Sequence, residues 1–146
     1  MILNSNIILS LTKSRLAISV VFSALAGYIL AADDLDFLNI FLLIIGGYSI
    51  VGASNSFNQI IEKDKDSMME RTKNRPLPKN QISTSKAFWI SILLTLVGLL
   101  CLYLINYKTV FFAALSVFLY TCIYTPLKPI TPLSVFVGAI PGAIPF

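Results

Sequence analysis

Long apolar runs, separated by short polar connections, make up most of this chain. A helix needs about 20 mostly apolar residues to cross a bilayer, and four runs have about that length. A fifth run begins late in the sequence. None of the runs shows the alternation of period two that is typical of membrane β-barrels, so each is predicted to be a helix. The predicted spans are 16–32, 37–61, 87–105, 109–124 and 133–146.

The polar connections between these runs differ in the sign of their charge. The connection after the first run carries only acids, whereas the one after the second run, 62–86, carries most of the bases. The other bases lie before the first run or after the fourth, except Lys108, which follows the third. Because basic connections tend to stay in the cytoplasm, we expect a multi-pass protein of the cell (inner) membrane. Its N-terminus and its 62–86 loop are predicted to be cytoplasmic.

The composition supports this membrane class and excludes others. The chain is 56% hydrophobic and only 12% charged, whereas a soluble domain is usually about a quarter charged. A nucleic-acid partner is excluded, because binding nucleic acid requires a broad basic and polar face. The sequence has no histidine, which excludes a histidine-ligated metal and a histidine general base.

One polar stretch, 55–78, directly follows the second run and holds four of the seven acids and five of the eleven bases. Within it Asn58, Glu62 and Asp66 recur every four residues. On an α-helix such residues lie within an arc of about 80°, roughly 6 Å apart along the axis. Asn55 lies one turn earlier on nearly the same side. We call Asn58, Glu62 and Asp66 the ligand stripe.

The ligand stripe has three possible interpretations. It could be a solvated helix end, a proton or ion pathway, or a Mg²⁺ site. Polar groups at membrane depth are candidates for function, and Mg²⁺ prefers oxygen ligands, with positions left for water and phosphate. The bases that follow, Arg71, Lys73 and Arg75, favour the Mg²⁺ site, because arginine binds phosphate oxygens through a rigid fork of donors. The pattern suits a ligand with a diphosphate head and an apolar tail.

Glycine and proline are concentrated near the end of the sequence. Gly138, Pro141, Gly142 and Pro145 fall within eight residues, which predicts a kinked or broken helix. Broken helices in membranes usually line a cavity.

The ligand stripe resembles the first aspartate-rich motif of the UbiA-type intramembrane prenyltransferases, with Glu62 where that motif has aspartate. A second similarity is the spacing of Tyr124 and Lys128, which resembles the Y-x-x-x-K motif that follows the fourth helix in this superfamily. The segments 11–27, 69–77 and 131–145 are most similar to its haem O synthase branch.

The resemblance implies an all-α, polytopic fold in which nine transmembrane helices surround a central cavity. This chain has four such helices and the start of a fifth, so we expect residues 1–146 to be a partial, truncated domain. The family's second aspartate-rich motif is absent from it. We therefore expect this chain to be inactive alone.

The resemblance also implies an activity. Farnesyl diphosphate would donate its prenyl group to haem b, a substrate here, and Mg²⁺ would be the cofactor. The lipid bilayer is a partner, and haem A synthase or terminal oxidase assembly factors are further candidates. The implied roles are Asn58, Glu62 and Asp66 for the metal, Arg71, Lys73, Arg75 and Lys128 for the diphosphate, Tyr124 with Lys128 in catalysis, and Asn55 in support.

Two other functions remain open from the residues. One is a different UbiA-type polyprenyltransferase, which would act on an aromatic quinone precursor. The other is a non-enzymatic membrane transport or assembly protein, which would release no diphosphate.

Overall fold

A computed structural model describes residues 5–144, and these residues form helices and connections without any strand. The all-α expectation is thus confirmed for the described part of the chain. A short π-helical segment, Leu119–Tyr124, lies between two of the α-helices. The helices are α1 (Ser5–Leu11), α2 (Ser14–Ala31), α3 (Phe37–Ile61), α4 (Lys63–Met68), α5 (Thr84–Ile105), α6 (Tyr107–Phe118), α7 (Thr125–Leu127) and α8 (Ser134–Ala143).

Four helical stretches are long and apolar enough to cross a membrane: α2, α3, α5, and the continuous stretch Tyr107–Leu127. They coincide with the first four predicted spans, and α3 has the predicted bounds. The other three begin two or three residues earlier than predicted. At α5 and α6 a polar residue caps the start. Ser83 accepts a hydrogen bond from the backbone N–H of Lys86, and Asn106 accepts one from that of Thr109. Such capping residues precede the apolar run that hydropathy detects.

Helix α3 lies at the centre and packs mainly against α5 and α2. Its contact with α5 depends on small residues. A Cβ atom at Gly98 of α5 would lie 2.7 Å from the side chain of Ile50 and 3.0 Å from the carbonyl oxygen of Gly46. The two backbones therefore approach as closely as they do because neither glycine has a side chain.

The end of the bundle where α3 stops is covered by α1 and by the loop that follows α4. We call it the polar end. Helix α1 was not predicted from the sequence, because seven residues are too few for an apolar periodicity to be recognised. It is held by a buried apolar cluster of Leu11, Leu77, Ile82 and Ala87. This cluster fixes the loop against the bundle.

The segment expected to form a kinked or broken helix is not broken. Helix α8 is continuous from Ser134 to Ala143 with Pro141 inside it. Pro141 lacks the N–H for one hydrogen bond of the helix, but the residues on both sides of it remain helical. Pro145 and Phe146, at the end of the predicted span, lie outside the described residues. Helix α8 packs against the π-helical segment.

Candidate metal and diphosphate site

The ligand stripe crosses a helix end. Helix α3 stops at Ile61, Glu62 has φ −89° and ψ 4°, and Asp66 belongs to α4. The expectation of one continuous helix through all three residues is therefore wrong. The backbone N–H of Glu62 nevertheless donates to the carbonyl of Asn58 at 2.9 Å, and that of Asp66 donates to Glu62 at 2.8 Å. These two bonds keep the stripe on successive turns.

Each carboxylate of the stripe forms an ion pair with a base: Asp66 with Arg75, nine residues later, and Glu62 with Lys128, 66 residues later. Arg75 Nη1 lies 2.5 Å from Asp66 Oδ2, and Lys128 Nζ lies 3.2 Å from Glu62 Oε1. The Asp66 side chain is only 4% exposed, whereas that of Lys128 is 48% exposed. The first pair is therefore shielded from water, and the second lies at the surface of the polar end.

The structure does not bring the other two predicted diphosphate-binding residues to the stripe. Lys73 is exposed and forms an ion pair of 2.6 Å with Glu70, three residues earlier. Arg71 is exposed, and it forms no ion pair among residues 5–144. The loop is fixed instead by Thr72, whose hydroxyl donates to the backbone carbonyl of Asp66 at 3.0 Å. Of Arg71, Lys73 and Arg75, only Arg75 pairs with Asp66 within the described chain.

Each member of the stripe keeps one oxygen free of hydrogen bonds from the described residues. Asn58 Nδ2 donates to Thr125 Oγ1 at 3.2 Å, while Asn58 Oδ1 receives no donor. Glu62 Oε2 and Asp66 Oδ1 likewise have no partner in residues 5–144, because the bases pair with the other oxygens. An amide oxygen and two carboxylate oxygens are ligands that Mg²⁺ accepts. No group of three acids, cysteines or histidines suited to a metal occurs in the described chain, so Asn58 is needed to complete the set.

The break between α1 and α2 is bonded to the polar half of α3. Asn55 Nδ2 donates to the carbonyl of Thr12 at 3.1 Å, and Gln59 Nε2 donates to that of Leu11 at 2.8 Å. Asn55, predicted to support the stripe, therefore binds this break. Lys13, the last residue of the break, lies in the left-handed region with φ 50°, which is uncommon outside glycine and asparagine.

Lys13 is a cation of the polar end that the sequence did not single out for this role. Burial lowers the pKa of its amine, and the positive charge of Arg75 lowers it further. Glu62 and Asp66 act in the opposite direction. Lys13 thus lies within the electrostatic field of the stripe, although it forms no ion pair within 4.0 Å in the described part of the chain.

The ring of Tyr124 contacts Tyr120 and the backbone of α8. The ring of Tyr120 stacks on it, with centroids 5.2 Å apart and planes at 26°. A Cβ atom at Gly138 would lie 2.8 Å from the Tyr124 ring. The ring therefore lies directly on the backbone of α8, and no larger residue fits at position 138 without displacing it.

An apolar cavity of about 550 Å³ lies between α2, α3, α5, α6 and α8. Asn55 and Tyr120 are among its few polar lining residues. The stripe itself does not line this cavity, since Asn58 begins one helical turn beyond Asn55. An apolar cavity thus adjoins a charged polar end, which suits a ligand with an apolar tail and an anionic head.

Comparison with known proteins identifies relatives along nearly the whole chain. Residues 20–146 match the UbiA prenyltransferase family. The chain is 62% identical over 136 residues to a protoheme IX farnesyltransferase of Christiangramia forsetii, covering 93% of this chain and 45% of the relative. For the enzyme of the same name from Flavobacterium psychrophilum the identity is 60% over 139 residues, covering 93% and 46%. The chain thus spans less than half the length of these curated relatives.

A solved structure has the same helix arrangement. It comes from work on a digeranylgeranylglyceryl phosphate synthase and matches with a TM-score of 0.86 over 96% of this chain and 50% of that chain. The sequences are 21% identical, so this likeness concerns the fold. Because the family match begins within α2 and includes the whole ligand stripe, Tyr124 and Lys128, the chain belongs to the UbiA prenyltransferase family.

Proposed function

We propose that the intact protein transfers the farnesyl group of farnesyl diphosphate to a vinyl group of protohaem IX, giving haem O and diphosphate. The observation that carries this proposal is the polar end: three unpaired oxygens on successive turns, beside Arg75 and Lys128, next to an apolar cavity. Relatives 56–62% identical that bear the name protoheme IX farnesyltransferase support the choice of acceptor.

The residues of the stripe would hold Mg²⁺ through Asn58 Oδ1, Glu62 Oε2 and Asp66 Oδ1. When bound, the metal would neutralise part of the charge on the leaving diphosphate. Waters and diphosphate oxygens would complete its coordination, as is usual for this ion.

Arg75, Lys128 and Lys13 would stabilise the diphosphate as its negative charge grows. Preorganised cations act most strongly in a site with little water, and Arg75 is largely shielded. The Tyr124 side chain, whose ring is fixed by Tyr120 and Gly138, would orient the phosphate or stabilise the allylic cation. The apolar cavity would hold the farnesyl chain away from water.

In the proposed reaction the allylic C–O bond breaks, and its electron pair leaves with the diphosphate. The vinyl group of haem supplies the electron pair for the new C–C bond to the farnesyl chain. Water then adds to the resulting carbocation and loses a proton, which gives the hydroxyethylfarnesyl product. All atoms of the product come from the two substrates and water.

The proposed setting is the cell (inner) membrane, with the N-terminus and the 62–86 loop in the cytoplasm. The distribution of bases supports this orientation, since Lys13, Arg75 and Lys128 all lie at the polar end of the bundle. Haem A synthase or terminal oxidase assembly factors are proposed partners, because they would use the product.

The test of the proposed function uses the intact protein in bilayers with farnesyl diphosphate and either haem b or 4-hydroxybenzoate. We expect Mg²⁺-dependent release of diphosphate and formation of haem O with haem b alone. Chelation with EDTA should abolish the reaction, and added Mg²⁺ should restore it. Prenylation of 4-hydroxybenzoate instead would identify a quinone-pathway enzyme, and no diphosphate release would favour a non-enzymatic membrane protein.

We expect Glu62→Asp to retain at least about one tenth of the parental activity, since it preserves the carboxylate while moving it back by one carbon. Lys128 can follow this movement, because its side chain is about half exposed. The measurement is the initial rate of haem O formation at equal protein levels in the membrane. An inactive but normally inserted variant would show that the site requires the longer glutamate side chain.

A further inference from the structure

The hydroxyl of Thr125 takes part in two hydrogen bonds. It donates to the carbonyl of Tyr120 at 2.7 Å, and Asn58 Nδ2 lies 3.2 Å from the same oxygen. A hydroxyl carries one hydrogen, and here that hydrogen points to Tyr120. Towards Asn58 the hydroxyl of Thr125 can therefore only accept.

Because Thr125 can only accept a hydrogen bond from Asn58, it determines which end of the Asn58 amide faces it. Asn58 must present its NH₂ group to Thr125, so its Oδ1 is turned to the other side. The reversed amide would place two acceptors against each other and leave a donor without this partner. Both side chains are buried, with Asn58 3% and Thr125 2% exposed, so water does not readily compensate for the loss.

The position of Thr125 is fixed by the π-helical segment before it. The backbone N–H of Thr125 donates to Tyr120, five residues earlier, and its hydroxyl donates to the same carbonyl. Pro126 follows directly and lacks an N–H, which favours such local widening of a helix. Because two bonds hold Thr125 to one carbonyl, its oxygen is held in place independently of Asn58.

We propose that Thr125 is a positioning residue that orients the Asn58 amide so that Oδ1 serves as a ligand for a divalent cation. The inference rests on the proposed function, which places the metal at the ligand stripe. Thr125 itself touches neither metal nor substrate; it acts only through Asn58.

The test measures binding of Mn²⁺ with inorganic diphosphate to the intact protein, by electron paramagnetic resonance, without any turnover. We expect Thr125→Val to weaken Mn²⁺ binding about 10–100-fold, as loss of an outer-shell partner does at other metal sites. Thr125→Ser keeps the hydroxyl and should bind like the parent. Thr121→Val is the matched control, because Thr121 is also buried and its hydroxyl donates to a helix carbonyl, that of Val117, without a hydrogen bond to Asn58 in the described chain.

A second variant separates orientation from general damage. In an Asn58→Asp background both side-chain oxygens are equivalent, so orientation no longer matters. There we expect Thr125→Val to leave Mn²⁺ affinity nearly unchanged. An equal loss in both backgrounds would overturn the orienting role.

The outcomes distinguish this inference from the function on which it rests. If the parent binds Mn²⁺, Asn58→Ala weakens that binding and Thr125→Val does not, the inference fails while the metal site stands. If the parent binds no Mn²⁺ with diphosphate, the metal site fails, and the inference fails with it. If Thr121→Val weakens binding as much as Thr125→Val, the effect is a packing effect and the inference is overturned.

Discussion

Replacing Asp66 with asparagine is expected to lower prenyl transfer by the intact protein about 1,000-fold, although the protein still inserts into the membrane. The change removes the charge of a proposed metal ligand, and it removes the partner of Arg75, whose Nη1 lies 2.5 Å from Asp66 Oδ2. Both losses would act on the charge that develops on the diphosphate in the proposed reaction. The measurement is the initial rate of haem O formation, with the amount of protein in the membrane determined in parallel.

Asp64→Asn is the matched control for this substitution. Asp64 lies in the same short helix, α4, but it is exposed and forms no ion pair within the described residues. Its loss should leave the rate close to that of the parent. Normal haem O formation by Asp66→Asn would rule out the role assigned to the stripe, and an equal loss in both variants would indicate a general effect of charge on α4.

The second large effect is expected for Arg75→Gln, with a loss of about 100-fold in kcat. Arg75 is the loop base that reaches a carboxylate of the stripe, and it is largely shielded from water. Its guanidinium would also stabilise the leaving diphosphate. Kinetics with varied farnesyl diphosphate separate this effect on kcat from a simple loss of substrate binding, which would raise KM alone.

Lys73→Gln provides the comparison within the same loop. Lys73 carries the same charge two residues earlier, but it pairs with Glu70 on the surface. We expect its kcat to remain near the parental value. If the two variants lost activity equally, the loop would act through its net charge rather than through the placement of Arg75.

Sequence was sufficient for the membrane spans and for the spacing of the ligand stripe. Both depend on local physics: the length of an apolar run and the pitch of a helix, which places Asn58, Glu62 and Asp66 on successive turns. The apolar span was predicted to end at residue 61, but the break in the helix at Glu62, within the stripe, was not predicted. The pattern of polar residues continues unchanged through it, so only the backbone shows that the helix stops there.

Two partners of the stripe could not be predicted from the spacing of residues, because they lie far away in the sequence. Asn58 donates a hydrogen bond to Thr125, 67 residues later, and Glu62 pairs with Lys128, 66 residues later. Likewise, nothing in the order of Arg71, Lys73 and Arg75 indicates that only the last faces Asp66. That choice depends on the Thr72 hydrogen bond and on the buried cluster beneath the loop.

The two ion pairs of the polar end have a consequence for how a charged substrate could enter a membrane site. Each carboxylate already has a counter-ion, so neither is left as an unneutralised charge beside the apolar cavity. In the proposed reaction the metal would be held by the other oxygens of these carboxylates, and Arg75 and Lys128 would turn to the phosphate. The residues proposed to hold the metal thus also hold, before the substrate arrives, the cations proposed to bind its diphosphate.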